Sequence, residues 1–161
     1  RLWDPRARRS VRAAAAGGEV TSVAFHPGDE HVLLAATGTD VLGFDLRSER
    51  VILGEPARRA ERIAADEINH VVVDSAGQCA IAEDSGDVHM LDLATWQWRT
   101  LATKTGHESL CSCLAVRPGR HWGLASGGMD AAVVLWEQGG RKGRKVQMPP
   151  DTGDDSATTS G

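Results

Sequence analysis

Short apolar runs separated by turns rich in glycine and aspartate occupy the chain from Val20 to Glu137. Val20 to Phe25 stops at His26-Pro27-Gly28, and His31 to Ala36 runs into a turn at Thr37 to Asp40. Val41 to Phe44 then closes on Asp45-Leu46-Arg47. The sequence does this again: Ile68 to Val73 ends at Asp74-Ser75-Ala76-Gly77, Gln78 to Ala82 meets a turn at Asp84 to Gly86, and Val88 to Leu91 closes on Asp92. A third round comprises Cys111 to Pro118, Trp122 to Ser126, a turn holding Gly127, Gly128 and Asp130, and Ala132 to Leu135 before Trp136-Glu137. Runs this short, bounded by turn residues, predict strands and no helices. Val71-Val72-Val73 and Ala131 to Leu135 are nearly continuous in apolar residues, which predicts sheets covered on both faces.

The rounds keep a fixed period. Trp3, Phe44, Leu91 and Trp136 recur at intervals of 41, 47 and 45 residues, each followed by an acid: Asp4, Asp45, Asp92 and Glu137. Phe25, Val73 and Val116 precede the closing residue of their round by 19, 18 and 20 residues, so three strands per unit hold nearly constant length. Length varies between Arg47 and Glu67 and between Thr95 and Leu110, where a connection outside the core tolerates it. Arg1 to Arg6 reads as the end of a third strand, and Val146 to Met148 as a frayed fourth.

Composition changes this picture little. The chain has 161 residues, a net charge of −4 and 41% hydrophobic residues, an ordinary balance that does not call for nucleic acid. No apolar run approaches the ~20 residues of a membrane helix, and no secretory leader is visible. Three cysteines, Cys79, Cys111 and Cys113, fit a reducing compartment, cytoplasmic or nuclear. Cys111 and Cys113 are two apart and are expected on one strand face as small core residues; nothing at metal-ligand spacing accompanies them, so no metal or cofactor is expected. With 4% aromatic residues and many alanines, the interior is expected to be thinly packed. The run Gly139 to Lys145 is basic and glycine-broken, and Pro149 to Gly161 has the composition of a disordered segment.

The third round carries a further set of residues. Gly106-His107 opens it, Ser126 lies on its second strand, Asp130 in the next turn and Trp136 on the third strand. This set resembles a WD40 repeat, in which a histidine, a strand hydroxyl, a turn aspartate and the strand tryptophan hydrogen-bond in series. Buried polar groups of this kind are stable inside only when connected, since each costs a few kcal/mol if unpaired. His107, Ser126 and Asp130 also have the residue types of a catalytic triad, but the expected role is scaffold. No GxSxG, P-loop, GxGxxG or paired metal histidines support an enzyme. His26, His31, His70, His89 and His121 are scattered, mostly beside turns, and are expected at the surface.

The resemblance implies an all-β fold, a WD40 β-propeller present as an incomplete arc of about three blades plus the end of a preceding one. Residues 1–16 are the end of that preceding blade, 17–63, 64–105 and 106–148 are blades, and 149–161 begin a disordered insertion. A seven-blade ring needs on the order of 300 residues at this period. The chain, which opens on Arg1, is therefore expected to be part of a longer propeller with apolar faces open at both ends. Asp66-Glu67-Ile68-Asn69, Ala82 to Gly86, Leu91-Asp92-Leu93, Ala115 to Pro118 and Gly128-Met129-Asp130 further resemble the WD repeat-containing protein 53 family.

Propellers of this family are platforms for other proteins. Trp3-Asp4-Pro5-Arg6 fits the WDxR pattern of substrate receptors of cullin-RING ubiquitin ligases, and Phe44-Asp45-Leu46-Arg47 fits a relaxed form of it. In those receptors the arginine contacts the ligase's propeller-shaped adaptor, which the resemblance implies for Arg6 and Arg47, beside Trp3, Asp4 and Asp45. Arginine suits such a contact because its planar fork pairs bidentately with carboxylates or carbonyls. In the later rounds the equivalent positions are Ala94 and Gly139, and the pattern stops. The alternatives are pairing of each arginine with its own turn acid, a general interaction platform without the ligase, and an RNA-associated protein. The RNA reading rests on the clusters Arg6 to Arg12 and Arg141 to Lys145, with Trp96, Trp98 and Trp122 as stacking groups.

Overall fold

A computed structural model describes residues 1–48, 55–101, 106–117, 123–137 and 144–147, with backbone alone at Arg9, Val11, Arg12, Glu137 and 144–147. His121, Trp122, 138–143 and the tail from 148 lie outside the described residues. Among the described residues there is no helix.

Three four-stranded antiparallel sheets follow one another, each a simple meander. The first holds β3 (Ser22–His26), β4 (Asp29–Thr37), β5 (Asp40–Asp45) and β6 (Arg58–Ala60). The second holds β7 (Ile68–Val73), β8 (Gln78–Glu83), β9 (Val88–Asp92) and β10 (Trp98–Thr100). The third holds β11 (Cys111–Val116), β12 (Gly123–Gly128), β13 (Ala132–Glu137) and β14 (Arg144–Gln147). Ahead of them β1 (Leu2–Asp4) and β2 (Arg9–Arg12) form a two-stranded ribbon.

The sheets stack face to face because strand side chains alternate between faces. On β8, Cys79 and Ile81 join Leu34, Val41, Ile63 and Ile68 in the core between the first and second sheets. Ala80 and Ala82 on the same strand point the other way, into the core with Leu114, Leu124, Val134 and Trp136. The middle sheet is therefore covered on both faces, as its continuous apolar runs predict, and each fully buried Leu, Ile or Val there contributes about 1.5 to 3 kcal/mol. The first sheet has a smaller core on its other face, where Ala35, Leu42 and Phe44 pack with Ala14 and Ala16, and the third sheet is covered on one face. In β13, Val134 is fully buried while Val133 is exposed, and on β3 Val23 and Phe25 face solvent. Trp3, at the repeat position that buries Phe44, Leu91 and Trp136, is 64% exposed on its two-stranded ribbon.

Two expectations need correction. Cys111 and Cys113 do not share a face: a bulge between them shifts the pairing, so Cys111 is buried and Cys113 exposed. His89 is not a surface residue but 4% exposed, because Glu83, Thr100 and Trp98 enclose its ring.

Candidate functional site

Two sets of polar groups organise the sheets, one at each end of the strands. At the first end the hairpin joining the second and third strands of each sheet places a carboxylate against backbone N–H groups of a connection leading into an innermost strand. In the first sheet Asp40 accepts the Arg62 N–H at 2.9 Å and is clasped by Arg59 at 2.6 Å and 3.0 Å. In the second, the fully buried Glu83 accepts the N–H groups of Ala65 and Asp66 at 2.7 Å and 2.9 Å and the Ser85 hydroxyl at 2.7 Å, with His89 Nε2 at 3.1 Å. In the third, Asp130 accepts the Glu108 N–H at 3.1 Å. Burial pushes the Glu83 carboxyl up, but the Asp66 N–H, Ser85 and His89 outweigh it and hold it below its ordinary value.

His107, Ser126, Asp130 and Trp136 come together in the third sheet. His107 Nδ1 lies 2.8 Å from Asp130 Oδ1, His107 Nε2 lies 2.9 Å from Ser126 Oγ, and the Trp136 indole N–H donates to the same Oγ at 2.9 Å. A carboxylate only accepts, so Nδ1 carries the proton, and the Ser126 hydroxyl donates to Nε2. Gly128 is required beneath the ring, since a Cβ there would stand 2.4 Å from His107 Nδ1. A nucleophilic serine must be reachable by a substrate. Ser126 is buried and its hydroxyl proton is committed to His107, while its oxygen accepts the indole N–H, which makes the set a tie between strand, turn and connection.

At the other end, the recurring acid caps the turn that follows its strand. Asp4 accepts the N–H of Arg6 at 2.8 Å, Asp45 that of Arg47 at 3.0 Å, and Asp92 those of Ala94 and Thr95 at 2.9 Å and 3.0 Å. The two arginines then differ. Arg47 closes a bidentate pair on Asp45, with both contacts at 2.9 Å, and this clasp brings the Asp45 carboxyl down to about 2. Arg6 reaches Asp4 through one 3.4 Å contact and its side chain is 93% exposed. Asp45 also borders a cleft of about 500 Å³ between the first and second sheets, lined by Val32, Leu93, Trp96 and Arg58 among others. Trp96 lines it from a left-handed backbone position, φ 59°. Trp98 is half-exposed on the rim of the second sheet, edge-on to His89.

Glu83, His89 and the polar residues Ser22, Asn69 and His70 were not legible as functional side chains in the sequence. The available signal was positional: Thr21-Ser22, Asn69-His70 and Ser112-Cys113 stand at the same place in successive rounds.

The WD domain, G-beta repeat family matches residues 98–137. Those residues start on β10 of the second sheet and end with β13 of the third. Solved structures with the same stacked sheets include U3-55K, at a TM-score of 0.68 and 19% identity over 89% of this chain and 42% of that one. Another is the WD40 β-propeller domain of Doa1, at a TM-score of 0.66 and 20% identity over 81% of this chain and 41% of that one. The chain has the fold of an arc of WD40 β-propeller blades. Among curated relatives, WD repeat and FYVE domain-containing protein 1 from Bos taurus is 36% identical over 68 residues, which is 42% of this chain and 16% of the relative. The arc thus spans less than half of each of these two structures and a small part of that relative. Among its described residues no helix is long and apolar enough to cross a membrane.

Proposed function

We propose that this WD40 arc is a non-catalytic platform for other proteins, and that the rim carrying Arg6 and Arg47 meets the propeller adaptor of a cullin-RING ubiquitin ligase, which makes the parent protein a substrate receptor. The observation that carries the reading is the repetition of one turn. In two successive units an acid at the strand end caps the N–H of an arginine two residues on, and both guanidinium groups stand at the surface. Trp3, exposed beside Asp4, adds an apolar anchor of the kind that dominates interface energy. The cleft bordered by Asp45 offers a second apolar foothold on the same side of the first blade. Kinship with the WD repeat-containing protein 53 family rests on the short stretches quoted above and belongs to this same reading.

Arg47 must leave Asp45, or bind while clasped by it, so Arg6 is the stronger contact. Purified adaptor is titrated against the chain and against Arg6→Ala, Arg47→Ala and the double variant, with circular dichroism confirming that each keeps its sheets. Loss of about tenfold in affinity for Arg6→Ala, and of detectable binding for the double variant, is expected. Equal binding by wild type and double variant overturns the ligase reading and leaves a general platform.

A further inference from the structure

Trp96 lines the cleft between the first and second blades, and the backbone around it is arranged to hold its ring there. Its φ of 59° is a left-handed conformation that a bulky residue keeps only where its surroundings fix it. Three contacts do so. The Trp96 N–H donates to the Asp92 carbonyl at 2.7 Å, and the Leu93 N–H donates to the Gly77 carbonyl at 3.0 Å, which fastens the turn joining β9 and β10 to the turn joining β7 and β8. The indole crosses to the first blade and lies over Gly43, where a Cβ would stand 2.7 Å from two ring carbons. The aromatic wall is therefore set before any ligand arrives, and Val32 and Leu93 extend it with aliphatic surface.

Hydrogen-bonding capacity around the cleft is unevenly used. Both oxygens of Asp45 are taken by the Arg47 guanidinium, and Asp29 accepts the His31 N–H with one oxygen at 3.0 Å. The donors are less engaged. His26 Nδ1 accepts the Gly28 N–H at 3.0 Å, so the ring's proton sits on Nε2, which abuts Gly77: a Cβ there would be 3.1 Å from it. Arg58 is exposed and, among the described residues, takes part in no ion pair or side-chain hydrogen bond. Its neighbour Arg59 is instead clasped by Asp40. One Asp29 oxygen thus stands against a guanidinium fork and an imidazole N–H.

We infer that the cleft is a docking site for a linear acidic segment of a partner protein, which sets a large apolar side chain against Trp96 and the carboxylate of an adjacent residue on Arg58. A volume of about 500 Å³ is within the range of pockets that bury a compact ligand. An aromatic ring gains from meeting the indole offset or edge-on, and a guanidinium pairs with a carboxylate through two parallel N–H donors. A basic segment meets one Asp29 oxygen and is repelled by Arg58. The inference goes beyond the contact proposed for Arg6 and Arg47, and its test uses no adaptor, so the two readings fail separately.

The probe is the peptide Gly-Phe-Glu-Gly, acetylated and amidated at its ends, titrated into the ¹⁵N-labelled chain in low salt. The Trp96 indole N–H and the Gly77 and Ala94 amides are followed by NMR. Half-saturation at roughly 1 mM is expected. With glutamine in place of its glutamate the peptide is expected to bind about fivefold more weakly, and with lysine not at all. Arg58→Ala, at an exposed position, is expected to weaken the parent peptide by the same factor and to leave the glutamine peptide unchanged, a pattern that lost packing alone does not produce. No shift at several millimolar parent peptide overturns the inference. So does equal or tighter binding of the lysine peptide, which makes the cleft a cation site. Undiminished binding with alanine in place of phenylalanine leaves surface ion pairing only and overturns it too. A tenfold tighter fit of 3-phenylpropionate than of the peptide puts a small carboxylate there instead of a protein segment, and overturns it as well.

Discussion

Trp136 and His107 meet through a single atom, the Ser126 Oγ, which lies 2.9 Å from the indole Nε1 and 2.9 Å from the imidazole Nε2. The third strand of the last blade is thereby tied to the connection that enters the blade, and Asp130 fixes the far side of the ring at 2.8 Å. Removing either end takes one of the two partners from the buried Ser126 hydroxyl. Trp136→Phe and His107→Leu are each expected to cost about 1 to 3 kcal/mol in urea unfolding, and the double variant less than the sum of the two, because they share Ser126. Additive losses would mean that the two residues act independently.

Asp45 and Arg47 give a prediction with a defined pH window. The arginine's hydrogen bonds lower the Asp45 carboxyl to about 2, below the unfolded-chain value of about 3.9. A depressed carboxyl contributes stability that is present above the unfolded value and is lost as pH falls through the folded one. The Asp45 side-chain carbon, followed by NMR, is expected to titrate near pH 2 and to move up toward the ordinary value in Arg47→Ala. A midpoint unmoved by the substitution would show that the turn N–H alone holds the carboxylate.

Glu83 works in the same direction from inside the protein. Its carboxylate collects two backbone N–H groups and a hydroxyl, and it is held below its ordinary value. Glu83→Gln must turn an NH₂ group toward those donors, so a loss of about 1 to 3 kcal/mol at neutral pH is expected. The wild-type advantage is present above the ordinary glutamate range and shrinks as pH falls through the folded value, so thermal midpoints of the two proteins converge in acid. A pH-independent gap would assign the loss to packing.

Two turn positions give opposite expectations for the same residue type. Gly86 has φ 91°, and a Cβ there would lie 2.6 Å from the Ser109 carbonyl oxygen, so Gly86→Ala is expected to destabilise by roughly 2 kcal/mol or more. Ala131, which ends the corresponding hairpin of the third blade, carries φ 56° on an alanine. Ala131→Gly is expected to raise stability by about 0.5 to 1 kcal/mol, since the left-handed region costs alanine more than glycine. Differential scanning calorimetry reads both, and a lower midpoint for Ala131→Gly would count against that assignment of strain.

The meander of each blade was legible because its three inner strands are apolar and bounded by turn residues; Ile68–Val73 was read to the residue. The outer strands β6 and β10 were not. Arg58-Arg59-Ala60 and Trp98-Arg99-Thr100 have no apolar period, and pairing with the neighbouring strand alone makes them extended. The Cys111 and Cys113 environments were misread because a bulge resets the alternation between them, and a bulge has no signature in residue type here. The burial of His89 depended on Glu83, a residue whose charge argues for solvent until the N–H groups of Ala65 and Asp66 are seen converging on it. At the rim the sequence marked both arginines, but it could not distinguish the clasped Arg47 from the open Arg6.

The family match from residue 98 to 137 begins on the outer strand of one blade and finishes on the third strand of the next. The unit that the sequence copies is therefore out of step with the unit that the structure stacks. A tandem duplication of that segment would deliver a strand to the sheet behind it and three to the sheet ahead, so each new copy arrives already laced to its predecessor.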